Sequence, residues 1–355
     1  MTQAFLNAIG TATPPHDVHR LFERFALSLL PDDRARALFG RMAARSGMAH
    51  RFSVLAPGDD PAGPVLDRDG FYRRGGFPGT RQRLQRYERE ALPLALAAVR
   101  ELGDRLRPRT ITHLIVTSCT GFYAPGLDIE LVQALDLPDG VERTLIGFMG
   151  CHAAFNALRQ ARHIVRSEPH ARVLVLSLEL CTLHLQETAS TEQILAFLLF
   201  ADGCGAALVS AELDGLRLDG SHSARLPDTE PLIGWRIGDD GFDMVLSGRV
   251  PGAIADALRG NAGQVLGLRE GDRPALWAVH PGGRSVLDGV AGGLDLPPDA
   301  LDGSRAVLHE QGNMSSASIL FVLRRLMAAA QPGENGIALG FGPGLTAESL
   351  RFTVS

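Results

Sequence analysis

Short apolar segments of strand length alternate with helical segments along the chain, and this alternation restricts the folds available to it. Residues 111–117, 144–148 and 173–178 are such apolar segments, and residues 86–102 and 127–135 have the apolar spacing of helices. Strands that are apolar throughout are typical of largely parallel sheets covered by helices on both faces. The sequence therefore predicts an α/β fold.

The second half of the chain repeats the pattern of the first. Residues 336–342 and 348–354 are predicted to form a hairpin that closes the second half. We expect a matching hairpin to close the first half, in which residues 206–210 pair with residues 216–218. The pattern therefore indicates a duplicated structure.

Length and composition are consistent with a large soluble enzyme. The chain has 355 residues, enough for two domains or one duplicated domain, and we divide it into two similar halves, 1–215 and 216–355. All 35 basic residues are arginine, which excludes Schiff-base and P-loop chemistry that depends on lysine. A net charge of −5 gives no reason to expect nucleic acid or an anionic membrane surface as a partner.

Cysteine spacing and hydropathy give further expectations. The four cysteines form no CxxC pair, so the sequence predicts neither a zinc site nor a disulfide framework. No apolar run reaches the roughly 18 residues that a membrane span needs. The amino terminus lacks the features of a signal peptide. We expect a cytoplasmic protein.

Residues 143–159 contain the strongest candidate for a nucleophile. An apolar strand is followed by a glycine turn at Gly150 and a helix predicted to begin at Cys151. A helix start favours a thiolate and can lower the pKa of a cysteine well below about 8.5. Alternatively, Cys151 is one more small buried residue, as most free cysteines are. Cys119, Cys181 and Cys204 do not share the helix-start position.

Two further polar residues occupy glycine-flanked turns at the ends of buried elements. His280 follows a predicted strand, and Asn313 precedes a predicted helix. Each has a structural interpretation alone, since a histidine there can be merely hydrogen-bonded and an asparagine can be a turn or cap residue. With Cys151, however, they form a set suited to acyl transfer: a thiol that accepts the acyl group, a histidine that moves its proton, and an amide that donates to the oxyanion.

Five segments together resemble the type III polyketide synthases, the chalcone-synthase-like members of the thiolase superfamily. The resemblance runs from about Ile9 to the carboxyl terminus. It implies a homodimer of thiolase-like, five-layered αβαβα subunits. It also implies malonyl-CoA and an acyl-CoA starter as substrates, with no cofactor and no acyl carrier protein. The segments are Gly-Cys-His-Ala-Ala at 150–154, Leu-Phe-Ala-Asp-Gly-Cys-Gly-Ala-Ala at 199–207, Trp-Ala-Val-His-Pro-Gly-Gly at 277–283, Gly-Asn-Met-Ser-Ser-Ala-Ser at 312–318 and Gly-Phe-Gly-Pro-Gly-Leu-Thr at 340–346.

The resemblance also implies roles for individual residues. Cys151 matches the acylated nucleophile, and His280 and Asn313 match the oxyanion pair. Phe200 matches the aromatic gate between the CoA tunnel and the cavity. The remaining residues assigned to substrate are Met244, Cys119, His184, Trp235, Gly342, Pro343 and Ser315, and those assigned to CoA are Arg45, Arg51 and Ser285.

Departures from the plant members of the family bear on the starter. Met244 falls where those enzymes have a second gate aromatic, and the residues around Cys151 are otherwise apolar, which favours a fatty acyl starter and an alkylpyrone or alkylresorcinol product. Trp235 and His184 fall near positions of small cavity residues and favour a small starter or malonyl itself. Cys119 falls where many bacterial members have a cavity cysteine, and it either shapes the cavity chemically or is only a small lining residue.

Three alternatives compete with this interpretation. A ketoacyl-carrier-protein synthase III has the same fold and the same three residues but condenses once; Phe200 and the segment at 340–346 argue against it. A thiolase or an HMG-CoA synthase needs a second catalytic cysteine or a glutamate, and no segment matches either. A catalytically silent protein of the same fold is disfavoured by the complete set of three residues.

Overall fold

The computed structural model describes residues 2–269 and 271–355, and they form a mixed α/β structure. The strands are β1 (Phe5–Ala12), β2 (His16–Asp17), β3 (Phe52–Ser53), β4 (His113–Ser118), β5 (Glu142–Gly147), β6 (Val173–Leu180), β7 (Asp202–Ser210), β8 (Leu216–Arg225), β9 (Ile233–Gly238), β10 (Gly241–Leu246), β11 (Leu276–Val279), β12 (Asn335–Gly342) and β13 (Thr346–Val354). The helices are α1 (His19–Leu29), α2 (Asp33–Ala44), α3 (Thr80–Arg100), α4 (Leu127–Ala134), α5 (Ala153–Ser167), α6 (Thr191–Leu199), α7 (Val250–Leu258), α8 (Ala262–Leu266), α9 (Arg284–Leu294), α10 (Asp302–Gln311) and α11 (Ser318–Ala329). None of these helices is long and apolar enough to cross a membrane.

Nine of the described strands form one sheet whose two ends repeat each other. Their order is β11-β12-β13-β8-β1-β7-β6-β4-β5. Outward from the centre, β1-β7-β6-β4 and β8-β13-β12-β11 have the same succession of directions: two antiparallel pairs and then a parallel one. The duplication expected from the sequence is thus visible in the topology, although the sheet is mixed and not largely parallel.

The hairpin expected to close the first half is wrong, whereas the closing hairpin of β12 and β13 is confirmed. β7 and β8 do not pair, because β1 lies between them and pairs with both. The apolar pattern does not predict β1, because a polar residue interrupts its apolar run. Asn7 lies at an irregularity in the β1–β7 pairing, and its amide nitrogen donates to the carbonyl oxygens of Glu212 and Asp214 at 2.9 Å each. Asn7 therefore hydrogen-bonds β1 to the turn between β7 and β8.

Two helices lie at the centre of the molecule and contact strands of both halves. The alanine-rich face of α5, with Ala153, Ala157 and Ala161, packs close to β4, β6, β7 and β13. α11 contacts β1, β7, β11 and β12, and its first six residues are all buried. α3 contacts the strands of the first half from outside, whereas α8 and α10 contact strands of the second half. Each central helix is preceded by a short turn, and these two turns contain Cys151 and Ser315.

Candidate active site

Cys151 lies in a short helical turn, Gly150–His152, between β5 and α5. Gly150 has a φ of +70°, and a Cβ atom at this position would overlap the ring of Pro343. The turn can therefore close only with glycine, because this backbone conformation and this close approach both exclude a side chain. The contact with Pro343 places the thiol where the two halves of the chain meet.

Cys151 is half-buried, and the pKa of its thiol differs from the expected one. Burial raises the pKa of Cys151 to about 11, and this effect exceeds that of the Ser315 hydroxyl, which donates to the sulfur at 3.7 Å. The expected lowering of the pKa is therefore wrong. α5 begins two residues later than predicted, at Ala153, and the loss of solvation outweighs the favourable position before the helix. The resting residue is a neutral thiol.

His280 follows β11 and is buried with both ring nitrogens free. Neither Nδ1 nor Nε2 has a hydrogen-bond partner among the residues that the structure describes. Burial lowers the pKa of His280 most, and repulsion from the nearby His152 lowers it further, to about 3. The imidazole is therefore neutral, so it can accept a proton at one nitrogen and donate from the other. Buried polar groups nearly always have hydrogen-bond partners. The two ring nitrogens of His280 are therefore available to a ligand.

Asn313 is held by both its backbone and its side chain. Its backbone pairs with the segment around Phe200, donating to the Leu199 carbonyl at 3.0 Å and accepting from the Ala201 N–H at 2.8 Å. The side-chain oxygen accepts from the Ser315 N–H at 2.9 Å, and Nδ2 donates to the Gly282 carbonyl at 3.3 Å. The amide orientation is thereby fixed, with its remaining N–H available to a ligand. Ser315 contacts both Cys151 and Asn313, and Gly282 is two residues from His280.

A small chamber of about 40 Å³ adjoins Cys151. The residues assigned to substrate from the sequence divide into those that line it and those that do not. His184 and Gly342 are not part of its lining. The assigned residues that line it are Phe200, Met244, Cys119, Trp235, Pro343 and Ser315.

His184 supports the chamber wall from behind. Its Nε2 donates to the Thr120 carbonyl at 2.7 Å, and its Nδ1 accepts from the Phe242 N–H at 3.2 Å. The ring stacks on Phe242 with centroids 4.1 Å apart, and burial lowers the pKa of His184 to about 3. Trp235, whose indole N–H donates to the Cys119 carbonyl at 2.7 Å, stands edge-on to His184. We call Phe122, Phe148, His184, Trp235 and Phe242 the aromatic block, since each ring contacts another of the set.

Gly342 also acts from behind the site. A Cβ atom on this residue would overlap the ring of His152, the residue after Cys151. His152 in turn is hydrogen-bonded through Nε2 to the Thr346 hydroxyl at 2.6 Å. The glycine therefore allows the turn of Cys151 to pack against β12, and its contribution is to backbone packing.

A cleft of about 800 Å³ approaches the same residues from the other side. Leu199 and Gly282, which line it, adjoin Phe200 and Asn313. Arg45 and Ser285, both assigned to CoA from the sequence, also line this cleft. Arg284 lies there too; sequence reasoning missed it, although it directly follows the glycine pair after His280.

The assignment of Arg51 to CoA is contradicted by its burial. Only 2 % of the residue is exposed, and its guanidinium donates to the carbonyl oxygens of Phe197 and Phe200 and to Nδ1 of His19. Burial lowers the pKa of Arg51 to about 10. The chain turns inward after α2, so this arginine points into the protein while Arg45 stays at the surface. Arg51 holds the backbone beneath Phe200.

Among the described residues, no cluster of three histidine, cysteine or acidic side chains could hold a metal ion. The site instead consists of a neutral thiol, a neutral imidazole with free nitrogens, and a fixed amide. These groups can accept an acyl group, transfer one proton and stabilise an oxyanion.

Comparison with known proteins agrees with this chemistry. The N-terminal and C-terminal domain models of the chalcone and stilbene synthases match residues 1–213 and 217–354. The chain is 32% identical to bisdemethoxycurcumin synthase of Oryza sativa subsp. japonica, covering 97% of this chain and 90% of the relative. It is 30% identical to the alpha-pyrone synthesis polyketide synthase-like Pks18 of Mycobacterium tuberculosis, covering 99% of this chain and 92% of the relative. It is 33% identical to 1,3,6,8-tetrahydroxynaphthalene synthase of Streptomyces peucetius subsp. caesius, covering 96% of this chain and 90% of the relative.

Solved structures give the same result. The crystal structure of 1,3,6,8-tetrahydroxynaphthalene synthase from Streptomyces coelicolor matches with a TM-score of 0.88 at 29% identity, covering 99% of each chain. PKS-I from the brown alga Ectocarpus siliculosus matches with a TM-score of 0.88 at 29% identity, covering 100% of this chain and 99% of the other. The predicted thiolase-like α/β fold is confirmed. The chain belongs to the chalcone and stilbene synthase family, and it is a type III polyketide synthase, an acyltransferase that catalyses decarboxylative Claisen condensation.

Proposed function

We propose that this synthase, acting as a homodimer, extends a fatty acyl-CoA starter with malonyl-CoA and releases an alkylpyrone or alkylresorcinol. Cys151, His280 and Asn313 are the proposed catalytic residues. The observation that carries the catalytic assignment is the neutral His280 with two unpartnered buried nitrogens, in the same site as a thiol and a fixed amide. Light scattering tests the dimer, which should have twice the mass of one chain.

In the loading step, His280 accepts the proton of the Cys151 thiol as the sulfur attacks the thioester carbonyl of the starter. The new carbon–sulfur bond forms, the bond to the CoA sulfur breaks, and the CoA thiolate leaves with the proton from His280. A neutral imidazole is required for this, because an imidazolium has no lone pair with which to accept a proton. His280 is in that form at neutral pH, because burial disfavours the imidazolium.

In the extension step, malonyl-CoA loses CO2, and the electron pair of the broken bond forms an enolate. The enolate oxygen accepts hydrogen bonds from His280 and from Nδ2 of Asn313, and two neutral donors suit it because neither adds a repelling charge. The enolate carbon then attacks the acyl group on Cys151 and displaces the sulfur. The lengthened chain leaves as its CoA thioester and can be loaded again.

The size of the chamber bears on the product. A volume of about 40 Å³ is little more than the roughly 30 Å³ that one water molecule occupies in the liquid. So small a space favours few extensions, and an alkylpyrone closed by attack of an enol oxygen on the thioester needs fewer than an alkylresorcinol. Among the relatives, Pks18 bears the name of an alpha-pyrone synthesis enzyme.

A second candidate is a short acyl starter or malonyl itself, because the aromatic block, through Trp235, closes one side of the chamber. A series of starters from acetyl-CoA to palmitoyl-CoA distinguishes the two candidates. We expect kcat/KM to rise from acetyl-CoA to an acyl chain several carbons longer, with pyrone products identified by mass spectrometry. Rates that are highest for acetyl- or malonyl-CoA and fall steadily with chain length would contradict the fatty starter and favour the second candidate.

The cleft lined by Arg45 and Arg284 is the proposed CoA site. Replacing either arginine by alanine should raise KM for malonyl-CoA about two- to five-fold, the range for an exposed ion pair. The effect should vanish with malonyl-N-acetylcysteamine, which carries no phosphates. Arg41→Ala is the matched control, because Arg41 is an exposed arginine of α2, the helix that ends just before Arg45, and it does not line the cleft. An equal change in KM for both thioesters would argue against phosphate binding here.

A further inference from the structure

We propose that Arg51 is a positioning residue for the amide of Asn313. It acts by fixing two backbone segments, residues 197–201 and 312–313, whose pairing determines where that amide lies. The inference rests on the proposed function, since it assumes that Asn313 donates a hydrogen bond to the enolate. It adds to the mechanism a residue that lines neither the chamber nor the CoA cleft.

Arg51 caps the carboxyl-terminal end of α6. The last carbonyl groups of a helix have no N–H partner within the helix, and a cation beside them is favourable. Nη1 of Arg51 donates to the Phe197 carbonyl at 3.0 Å and to the Phe200 carbonyl at 2.5 Å. One buried nitrogen therefore holds the end of α6 from inside the protein.

The hydrocarbon part of the same side chain packs against Gly312, the residue before Asn313. Gly312 has a φ of +77°, and a Cβ atom at this position would lie 2.9 Å from Cγ of Arg51. That separation is shorter than a van der Waals contact, so only glycine lets the turn approach the arginine this closely. Arg51 therefore contacts both segments, one through its guanidinium and the other through its methylene groups.

The two segments that Arg51 contacts are paired with each other. The Asn313 N–H donates to the Leu199 carbonyl at 3.0 Å, and the Ala201 N–H donates to the Asn313 carbonyl at 2.8 Å. These two bonds attach the backbone of Asn313 to the end of α6. A displacement of that end therefore also moves Asn313 and changes the direction in which its Nδ2 points.

The guanidinium of Arg51 is itself held in place. Its Nε donates to Nδ1 of His19 at 3.2 Å, and its central carbon lies 4.7 Å from the centre of the Phe22 ring. Burial, and then repulsion from Arg51, lowers the pKa of His19 to about 4, so this histidine is neutral and its Nδ1 can accept. The backbone N–H of Arg51 also donates to the carboxylate of Asp17 at 3.2 Å. These contacts make the arginine a rigid support for the two segments.

The test replaces Arg51 by methionine, which keeps most of the hydrocarbon stem and removes the guanidinium. The kcat for malonyl-CoA decarboxylation without a starter should fall about 10²-fold, as when a group at a catalytic site is displaced by about 1 Å, with KM nearly unchanged. The rate at which iodoacetamide alkylates Cys151 should also be nearly unchanged, because that reaction needs the thiol and not Asn313. A purely structural role would lower both rates together.

A double-mutant cycle shows whether Arg51 acts through Asn313. The double variant Arg51→Met/Asn313→Ala should decarboxylate malonyl-CoA no more slowly than Asn313→Ala alone, because the amide that the arginine positions is already absent. If Arg51 acted independently of Asn313, its loss would slow the double variant by a further factor.

Arg51→Lys keeps the test valid if Arg51→Met does not fold. Lysine retains the charge and the stem, but its nitrogen ends one atom short of the position of Nη1, so it holds the two carbonyls of α6 less closely. Decarboxylation should therefore slow in this variant too, by a smaller factor than in Arg51→Met, and alkylation of Cys151 should again be nearly unchanged.

Arg74→Met is the matched control. Arg74 is a half-buried arginine that also lies over a phenylalanine of α1, with its guanidinium carbon 4.9 Å from the centre of the Phe25 ring. It also donates to backbone carbonyls, those of Pro61 and Gly63 at 2.9 Å each, but these belong to a loop that does not pair with Asn313. Decarboxylation should stay at the wild-type rate in this variant.

The outcomes separate this inference from the function on which it rests. Slow decarboxylation in Asn313→Ala, with the wild-type rate in both Arg51 variants, overturns the positioning role and leaves Asn313 in the mechanism. Equal losses of decarboxylation and alkylation in the Arg51 variants, or a further loss in the double variant, also overturn it. Wild-type decarboxylation in Asn313→Ala overturns the inference and the proposed role of Asn313 together. A loss confined to decarboxylation, absent from Arg74→Met and not increased in the double variant, supports the inference.

Discussion

Replacing Cys151 by alanine should abolish condensation while malonyl-CoA decarboxylation continues. The condensation requires a covalent acyl group on the sulfur, so its rate should fall on the order of 10⁴-fold or more, as for other lost nucleophiles. Decarboxylation needs only the donors His280 and Asn313, which remain. Product formation and CO2 release are measured separately on the same preparation, and intact-protein mass spectrometry follows the acyl adduct.

Cys204→Ala is the matched control for that experiment. Cys204 lies fully buried in β7 and does not line the chamber, so its loss should leave acylation intact. An acyl adduct that persists in Cys151→Ala and maps to another cysteine would show that the nucleophile is misassigned. Cys119 and Cys181 are the residues to inspect, because they line the same chamber.

Replacing Asn313 by alanine should slow malonyl-CoA decarboxylation about 10²- to 10³-fold, the usual effect of removing one oxyanion donor. The physical reason is that Nδ2 has a hydrogen left to donate while Oδ1 is held by the Ser315 N–H. The measurement is CO2 release from malonyl-CoA in the absence of a starter.

Asn313→Asp sharpens the same experiment. An aspartate has nearly the same shape and can still accept from the Ser315 N–H, but it loses the donor and adds a negative charge near the developing enolate. Its loss should equal or exceed that of Asn313→Ala. Decarboxylation at the wild-type rate in either variant would remove Asn313 from the mechanism.

Local patterns predicted many of the helices and strands and pointed to the three proposed catalytic residues. Glycine-flanked turns at strand and helix ends marked Cys151, His280 and Asn313, and the structure brings the turns that carry them together. The period of apolar residues likewise located the major helices, although α3 begins at Thr80, six residues before the predicted start.

Features that depend on distant parts of the chain could not be predicted in this way. The inward turn that buries Arg51, the stacking of His184 on Phe242 and the high pKa of Cys151 all follow from packing between remote segments. The β9–β10 hairpin, which contributes Trp235 and Met244 as neighbours to the chamber wall, was also not predicted, although its pairing is local and its strands are joined by a short turn.

The position of β1 has a consequence for how the chain is made. This strand precedes its partners β7 and β8 by about 200 residues, so during synthesis it has neither partner until most of the first half has emerged. Contacts so distant in sequence are slow to form, because a long loop must close before they yield any stabilisation. Deleting the first dozen residues would remove a strand from the middle of the sheet and not from its edge. Loss of this segment, though it is far from Cys151 in sequence, would therefore split the sheet between the two halves of the molecule.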